Sequence, residues 1–396
     1  MAENDIYNNK RRYELFVKSI DRLTIKAVKD RYYCKNKDNL TYFKALIKKF
    51  NIDDLSYIRR LRLLNVLKFL TDFIKSDLKD IDNKTRDNLI IEIRKKTKPS
   101  NLKKTERDIK RIYNILFDGN IPKPITKLKI KVDISTQKAR NDKLTYDEFD
   151  SIMKYFSNDV VIKSYLSLAF ESLGRPQEML YTKIKDLEIY DKYAYVNISE
   201  HGKEGIKKLL SIESFPYLLS MLNQHKNRKN KNSYLFLNEV GKQLTPHAIN
   251  KKLRITCKKL GIDKAITCYS LKRFGVTFKR LNGSTDVEIQ RIAGWRSTKQ
   301  LQTYDLSDQE DVFKIQLAKA GLIKDEKLKK HYPKTKICDY CNELIGFAES
   351  MCPKCKNIID KDLIKKKIQE SDETKRKLDL FEKFYNEHKD QIEKML

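Results

Sequence analysis

Nowhere does the sequence hold an uncharged apolar run near the roughly 18 residues a membrane-spanning helix needs, and no membrane role is expected. The opening MAENDIYNNKRRYELF lacks the apolar core of a secretory signal, so a cytoplasmic protein is expected. Glycine and proline are scarce, 11 and 8 in 396 residues, and almost none fall in the first 120. No tandem repeat is present, which sets solenoid architectures aside. Cysteine numbers only 7. Three are scattered (Cys34, Cys257, Cys268), and four fall in two C-x-x-C pairs, which suits a reducing compartment and one metal site better than a disulfide framework. Tryptophan occurs once, at Trp295.

Basic residues are abundant. Lys and Arg number 84 against 54 Asp and Glu, a net charge of +30 spread along the chain rather than gathered in one tail. A polyanionic partner follows as the leading expectation, although a lysine-rich solvated surface gives the same composition and charge does not choose between DNA, RNA and lipid. A chain of this length exceeds one compact core, so two larger domains and a small appendage are expected.

Residues 1–120 read as a helical bundle with a basic exterior. Leu63, Leu67, Leu70 and Ile74 share one helical face, and Arg59, Arg60, Lys68, Asp72 and Lys75 fall elsewhere. The periodicity stops over 121–143, where Pro122 and Pro124 sit in a basic stretch that reads as a linker. In LTYDEFDSIMKYF the pair Thr145 and Glu148 marks a helix N-terminus opening a second domain, 144–322. Most of that domain reads as helix. Residues 187–212 are the exception, rich in β-branched and aromatic residues and broken by His201-Gly202 and Gly205, as in a small antiparallel sheet.

In KTKICDYCNELIGFAESMCPKCKNIID, Cys338, Cys341, Cys352 and Cys355 form two knuckles around a ten-residue spacer. Four thiolates suit a closed tetrahedral zinc site, and the short loops resemble a zinc ribbon, assigned to 333–359. A redox dithiol is disfavoured because no thioredoxin-like strand and helix flank either pair. The zinc is expected to be structural, since so small a module lacks a core without it, and the ribbon is expected to be separable from the chemistry. The tail 360–396 reads as a charged helix, with Leu378, Phe381, Tyr385, His388, Ile392 and Met395 on one seam too short for a firm coiled coil.

The segment GIDKAITCYSLKRFGVTFKRLNGSTDVEIQRIAGWRSTKQLQTYDL, 261–306, resembles the second catalytic box of the tyrosine recombinase (phage integrase) family, in an archaeal-type variant. There, H-x-L-R-H-x-x-x-T precedes a helix, a Gly-His or Gly-Trp pair and a tyrosine nine residues on. Here Gly294-Trp295 is followed nine positions later by Tyr304. Upstream, ESLGRPQEMLYTKIKDLEI resembles the first box, with Arg175 on its arginine and Glu178 on the bracing carboxylate. The turn His201 to Gly205 is similar to the family's lysine-bearing hairpin, which maps to Lys203, and 233–262 is similar to the stretch between the boxes.

The resemblance covers about 145–315 and implies a mainly α protein with a small antiparallel β-sheet: a helical core-binding domain, a tyrosine-recombinase catalytic domain and the C-terminal zinc ribbon. It also implies a site-specific recombinase or integrase that cuts and rejoins double-stranded DNA through a 3′-phosphotyrosyl bond, as a tetramer on synapsed sites, with no catalytic cofactor. Tyr304 would be the nucleophile, Arg175 a phosphate clamp, Lys203 the acid for the leaving oxygen, and Trp295 a donor to the phosphate. Each of these residue types alone is ordinary: a lone tryptophan packs a core, an Arg–Glu pair is often structural, and 20 other tyrosines are present.

The second box departs from the pattern, reading Tyr269-Ser270-Leu271-Lys272-Arg273. Anchoring on Leu271 and Thr277 puts Lys272 at the second arginine and Tyr269 at the first histidine; a one-residue slip makes Arg273 the clamp. Spacing fits both, and the planar guanidinium fork favours Arg273. Two other readings share parts of the pattern: a DNA-binding relative without activity, prompted by the altered box, and a nicking and resealing enzyme with type IB topoisomerase chemistry.

Overall fold

The computed structural model describes residues 5–25, 32–131, 141–198, 205–323, 334–360, 369–370 and 373–383. The chain forms two compact units, Met1–Arg140 and Asn141–Leu396. Among the described residues no helix is long and apolar enough to cross a membrane.

The first unit is helical. Its main helices are α1 (Asn9–Lys18), α2 (Leu40–Ile52), α3 (Tyr57–Phe73), α4 (Asn83–Lys96) and α5 (Pro99–Leu116), followed by a single turn, α6 (Lys123–Thr126). The apolar face anticipated on α3 is buried at Leu63, Leu67 and Leu70, with Ile74 just beyond, against Phe43, Leu46, Ile109 and Tyr113. Arg60 does not join the basic exterior. It is buried, donating to the Asn51 side chain at 2.6 Å with its guanidinium over the Tyr13 and Tyr57 rings. Asp108, also buried, is paired with Arg59 and Arg62, so its charge is compensated. The segment read as a linker is partly folded: Ile125, Leu128 and Ile130 are buried in this unit, and the Ile130 N–H donates to Glu106 at 2.9 Å. Spaced by three and two residues, these apolar positions show neither helical nor strand periodicity.

The second unit opens where Thr145 and Glu148 indicate. The Glu148 N–H donates to the Thr145 hydroxyl, and the Glu148 carboxylate accepts from the Thr145 N–H, starting α7 (Tyr146–Tyr155) with a complete capping box. The central helix α8 (Val160–Ser172) is buried from Ile162 to Phe170. After the short α9 (Pro176–Tyr181) comes the sheet, β1 (Leu187–Ile189), β2 (Ala194–Ile198) and β3 (Lys207–Ser211), antiparallel in sequence order, with Glu188, Tyr195 and Leu210 in one cross-strand row. α10 (Phe215–Asn223), α11 (Pro246–Lys259), α12 (Cys268–Leu281), α13 (Asp286–Ala293), α14 (Leu301–Tyr304) and α15 (Gln309–Lys319) follow.

α10, α12 and β3 all pack on α8. At Gly275, α12 lies so close that a Cβ would sit 2.2 Å from the Phe170 carbonyl oxygen.

The cysteine module is a two-stranded ribbon, β4 (Lys336–Ile337) paired with β5 (Leu344–Ile345), and it rests on the second unit rather than hanging from it. Phe347 is buried against Tyr217 and Phe149, and the Ala348 N–H donates to the Tyr217 hydroxyl at 2.7 Å. This packing does not match a detached module; the apolar run Ile345-Gly346-Phe347-Ala348 inside the spacer carries it. Of the expected C-terminal helix, 373–383 is helical with Leu378 and Phe381 exposed, and the rest of the seam lies outside the described residues.

The Gly275 contact yields a test. Gly275→Ala must displace backbone, and destabilisation of about 1–3 kcal/mol is expected from overpacking of this kind. Denaturant titration of the full chain measures it, with Gly283→Ala, where nothing lies within 4 Å but φ is +91°, separating contact from backbone strain.

Candidate active site

The site grows from the C-terminal end of α8. Leu173 closes that helix in the left-handed conformation (φ +56°), and after Gly174 the chain restarts as α9, with Pro176 at its first position, where a missing N–H costs nothing. Arg175 stands at this junction. Its N–H donates to Glu178 Oε2 at 3.0 Å and its Nη1 to Glu178 Oε1 at 3.1 Å, so one buried carboxylate fixes both backbone and guanidinium. Nη2 reaches Gln300 Oε1 at 3.4 Å, linking Arg175 to the turn before α14.

Glu178 has a second cation. Lys207, the first residue of β3, places Nζ 2.7 Å from Glu178 Oε2 and 3.1 Å from the Ala293 carbonyl oxygen. Burial works to raise the Glu178 carboxyl, but the Lys207 charge and hydrogen bond, with the Arg175 N–H and guanidinium, outweigh it and hold it below the ordinary 4.5. Lys207 was missed in the sequence because the hairpin resemblance pointed to Lys203, which lies outside the described residues. A signal existed: Lys207 alternates with Leu209 and Ser211, the inward positions of β3.

Past Ala293, Gly294 ends α13 at φ +66°, where a Cβ would meet Lys207 Cδ at 2.6 Å. Glycine meets both demands. Trp295 follows, 5 % exposed, its ring 5.1 Å from that of Tyr304 and tilted by 27°. Its Nε1 is buried with no hydrogen-bond partner among the described residues. Tyr304, the last residue of α14, packs on Leu173, Val276, Ile289, Ala293 and Leu301. Beyond it, the Leu306 N–H donates to the Thr277 hydroxyl at 2.8 Å, and Asp305 pairs with Arg280 at 3.1 Å, tying the tyrosine's flank to α12.

The two candidates of the second box lie in different surroundings, and Lys272 is the one beside Tyr304. It is fully buried, donates to the Leu173 carbonyl at 2.6 Å, and holds Nζ 5.3 Å from the Trp295 ring centre and 5.2 Å from that of Tyr304. Arg273 points elsewhere, to Asp142, with its Nη2 3.3 Å from the Ser270 hydroxyl. Adjacent helical residues diverge by about 100°, so Lys272 takes the side of α12 facing Tyr304 and Arg273, the residue favoured from the sequence, takes the side facing Asp142. Tyr269 lies half-buried three residues before Lys272 on the same side of α12.

Arg175, Glu178, Lys272, Trp295 and Tyr304 thus converge, joined by Lys207 and Gln300. Arg175 and Lys207 share the Glu178 carboxylate, and Lys272 lies on the Leu173 carbonyl beside Trp295, whose buried N–H has no partner among the described residues; three cations against one carboxylate suit the cluster to an anion.

The metal-ligand geometry is separate. The sulfurs of Cys338, Cys341, Cys352 and Cys355 all lie within 4.8 Å of one another, with Cys338–Cys355 at 3.5 Å and Cys341–Cys352 at 3.6 Å. Tetrahedral zinc with sulfur at ~2.3 Å spaces its ligands at roughly 3.8 Å, so the donor set and spacing fit.

Residues 142–311 match the model of the phage integrase family. A search of the curated proteins finds no match. Among solved structures, a lambda integrase dimer bound to a COC′ core site aligns with a TM-score of 0.56 at 15 % identity, over 67 % of this chain and 76 % of that one. The Tn1549 transposon integrase in complex with transposon right-end DNA gives 0.56 at 12 % identity, over 71 % and 99 %. A lambda integrase tetramer bound to a Holliday junction gives 0.55 at 13 % identity, over 74 % and 87 %. The second unit has the tyrosine recombinase fold.

Two predictions follow from the charges. Asp142→Asn should lower stability by about 3–5 kcal/mol, because a buried guanidinium loses its counter-charge; adding Arg273→Met should recover part of the loss, read by denaturant unfolding of both variants. Glu178, with its folded pKa depressed, contributes stability that is complete above its ordinary 4.5 and is lost as pH falls through the lower folded value. Glu178→Gln should therefore shift the acid limb of a stability–pH curve measured from pH 7 to 3.

Proposed function

We propose that this protein is a site-specific DNA recombinase or integrase that breaks and rejoins duplex DNA with Tyr304 as nucleophile. The observation that carries this reading is the convergence of Arg175, Lys272, Trp295 and Tyr304 in a cationic cluster with a buried indole N–H that has no partner among the described residues.

A scissile phosphate at this cluster meets Arg175 through a planar fork, Lys272 as a point charge, and Trp295 as a single donor. The phenolic oxygen of Tyr304 bonds to phosphorus as its proton passes to water. The bond from phosphorus to the 5′ oxygen breaks, and Lys203 of the β2–β3 hairpin protonates that oxygen, a role given to it by family resemblance. The 3′-phosphotyrosyl product conserves the phosphodiester, so a 5′ hydroxyl of another strand reverses the step and exchanges partners. Lys207 and Glu178 act indirectly, holding Arg175 and the Gly294 turn.

Duplex DNA is the partner in this reading, supported by the +30 charge and by DNA-bound structures with the same fold. Assembly as a homotetramer on synapsed sites, in the cytoplasm with the nucleoid, belongs to the same reading, as does the division into a core-binding domain, a catalytic domain and a C-terminal helix. The four cysteines hold one structural zinc, a closed site with no open position for water.

A nicked suicide duplex carrying the cognate site tests the chemistry. Tyr304→Phe should abolish covalent capture with duplex affinity nearly unchanged; capture by the variant removes Tyr304 from the mechanism. Lys272→Met should slow capture by about 10²–10³-fold, as losing a preorganised oxyanion donor does, and Arg273→Lys far less. Nicking and resealing without exchange between two sites would mark the enzyme as topoisomerase-like. Metal analysis should find one zinc per chain.

A further inference from the structure

We propose that the cysteine ribbon is a brace of the catalytic helix α12, so that metal occupancy at Cys338, Cys341, Cys352 and Cys355 holds Lys272 in place through loop 346–349. Phe347 and Glu349 act as positioning residues. The catalytic part of this inference rests on the function proposed above; the mechanical part does not.

Each residue of the loop makes its own contact with the catalytic unit. Gly346 lies flat on Tyr217, where a Cβ would stand 2.2 Å from ring carbon Cζ, so no larger residue fits. The Ala348 N–H donates to the Tyr217 hydroxyl. Glu349 Oε1 pairs at 2.7 Å with Lys163 Nζ, and Lys163, on α8, is only 2 % exposed. The ribbon thus supplies a counter-charge to an ammonium inside the neighbouring domain, and taking it away leaves a buried charge uncompensated.

Phe347 carries the contact inward. Its ring is 6.1 Å from Phe149, and Phe149 lies 4.9 Å from Phe170 and 5.3 Å from Phe274, which are themselves stacked at 4.9 Å. Phe274 is two residues beyond Lys272 on α12, and Phe170 is three before Leu173, whose carbonyl holds the Lys272 ammonium. One continuous aromatic stack therefore runs from the ribbon to both elements that place Lys272.

The loop has little else to shape it. It leaves β5 and reaches Cys352 without helix or strand, and the ribbon's own buried core amounts to Cys338, Ile345 and Cys352. A module with so small a core keeps its shape only when the four thiolates are cross-linked by metal.

Amide hydrogen exchange on the full chain, before and after a zinc chelator, tests the mechanical part. Amides of α8 and α12 should exchange at least about tenfold faster in the stripped chain while those of α2 and α3 stay unchanged, since local opening is read element by element. Phe347→Ala should keep its metal, show the same acceleration, and lower the single-turnover cleavage rate at saturating DNA by about tenfold with site affinity within about threefold. Phe347→Leu should restore most of the rate, which separates positioning from general loss of fold. Unchanged exchange in α12 on metal removal overturns the brace. A normal cleavage rate in a metal-loaded Phe347→Ala chain overturns the positioning role. Should the unaltered protein never capture DNA, the proposed function fails, and the exchange measurements decide the brace alone.

Discussion

The near contact of α12 with α8 at Gly275 governs the site. With no Cβ between them, the Phe170 carbonyl and the α12 backbone meet directly, and the next turn of α8 brings the Leu173 carbonyl within 2.6 Å of the Lys272 ammonium. Leu173 accepts a left-handed conformation, unfavourable for a branched side chain, and the chain then turns at Gly174 to present Arg175. One helix end thus places a hydrogen-bond acceptor for one cation and the backbone of another.

Electrostatics explains how a lysine is held at position 272. Lys272 is enclosed by the faces of Trp295 and Tyr304, and aromatic faces attract a cation. A compact ammonium with a carbonyl below and two rings beside it fits a slot that a five-donor fork would overfill. The adjacent Arg273 pairs with Asp142, tying the first residues of the second unit to α12, and its buried Nε has no partner among the described residues. In this segment the residue with the better phosphate geometry in isolation is not the one aimed at Tyr304.

Much of this was legible in the sequence, for identifiable reasons. Trp295 and Tyr304 stand together because their separation is set by one turn and one short helix, with few ways to rearrange. The Thr145 and Glu148 cap is local, and so are the four-cysteine cluster and the sheet. What escaped depends on side-chain direction or distant packing. Lys272 and Arg273 are neighbours in sequence and differ only in the direction each takes from α12. The seat of Phe347 on Tyr217 joins residues 130 apart, beyond the reach of periodicity or spacing. Ile125, Leu128 and Ile130 were read as linker because irregular backbone hides its buried positions. Lys207 was passed over because its place on the inward face of β3 shows only once the strand's register is known.

The solitary tryptophan has an optical consequence. Excitation at the red edge of the protein absorption band bypasses all 21 tyrosines and selects Trp295. That indole is tilted by 27° from the Tyr304 ring, with the Lys272 ammonium nearby, and its N–H has no partner among the described residues. Emission from the whole 396-residue chain therefore originates at the proposed point of attack, making the unlabelled protein its own fluorophore for events on one side chain.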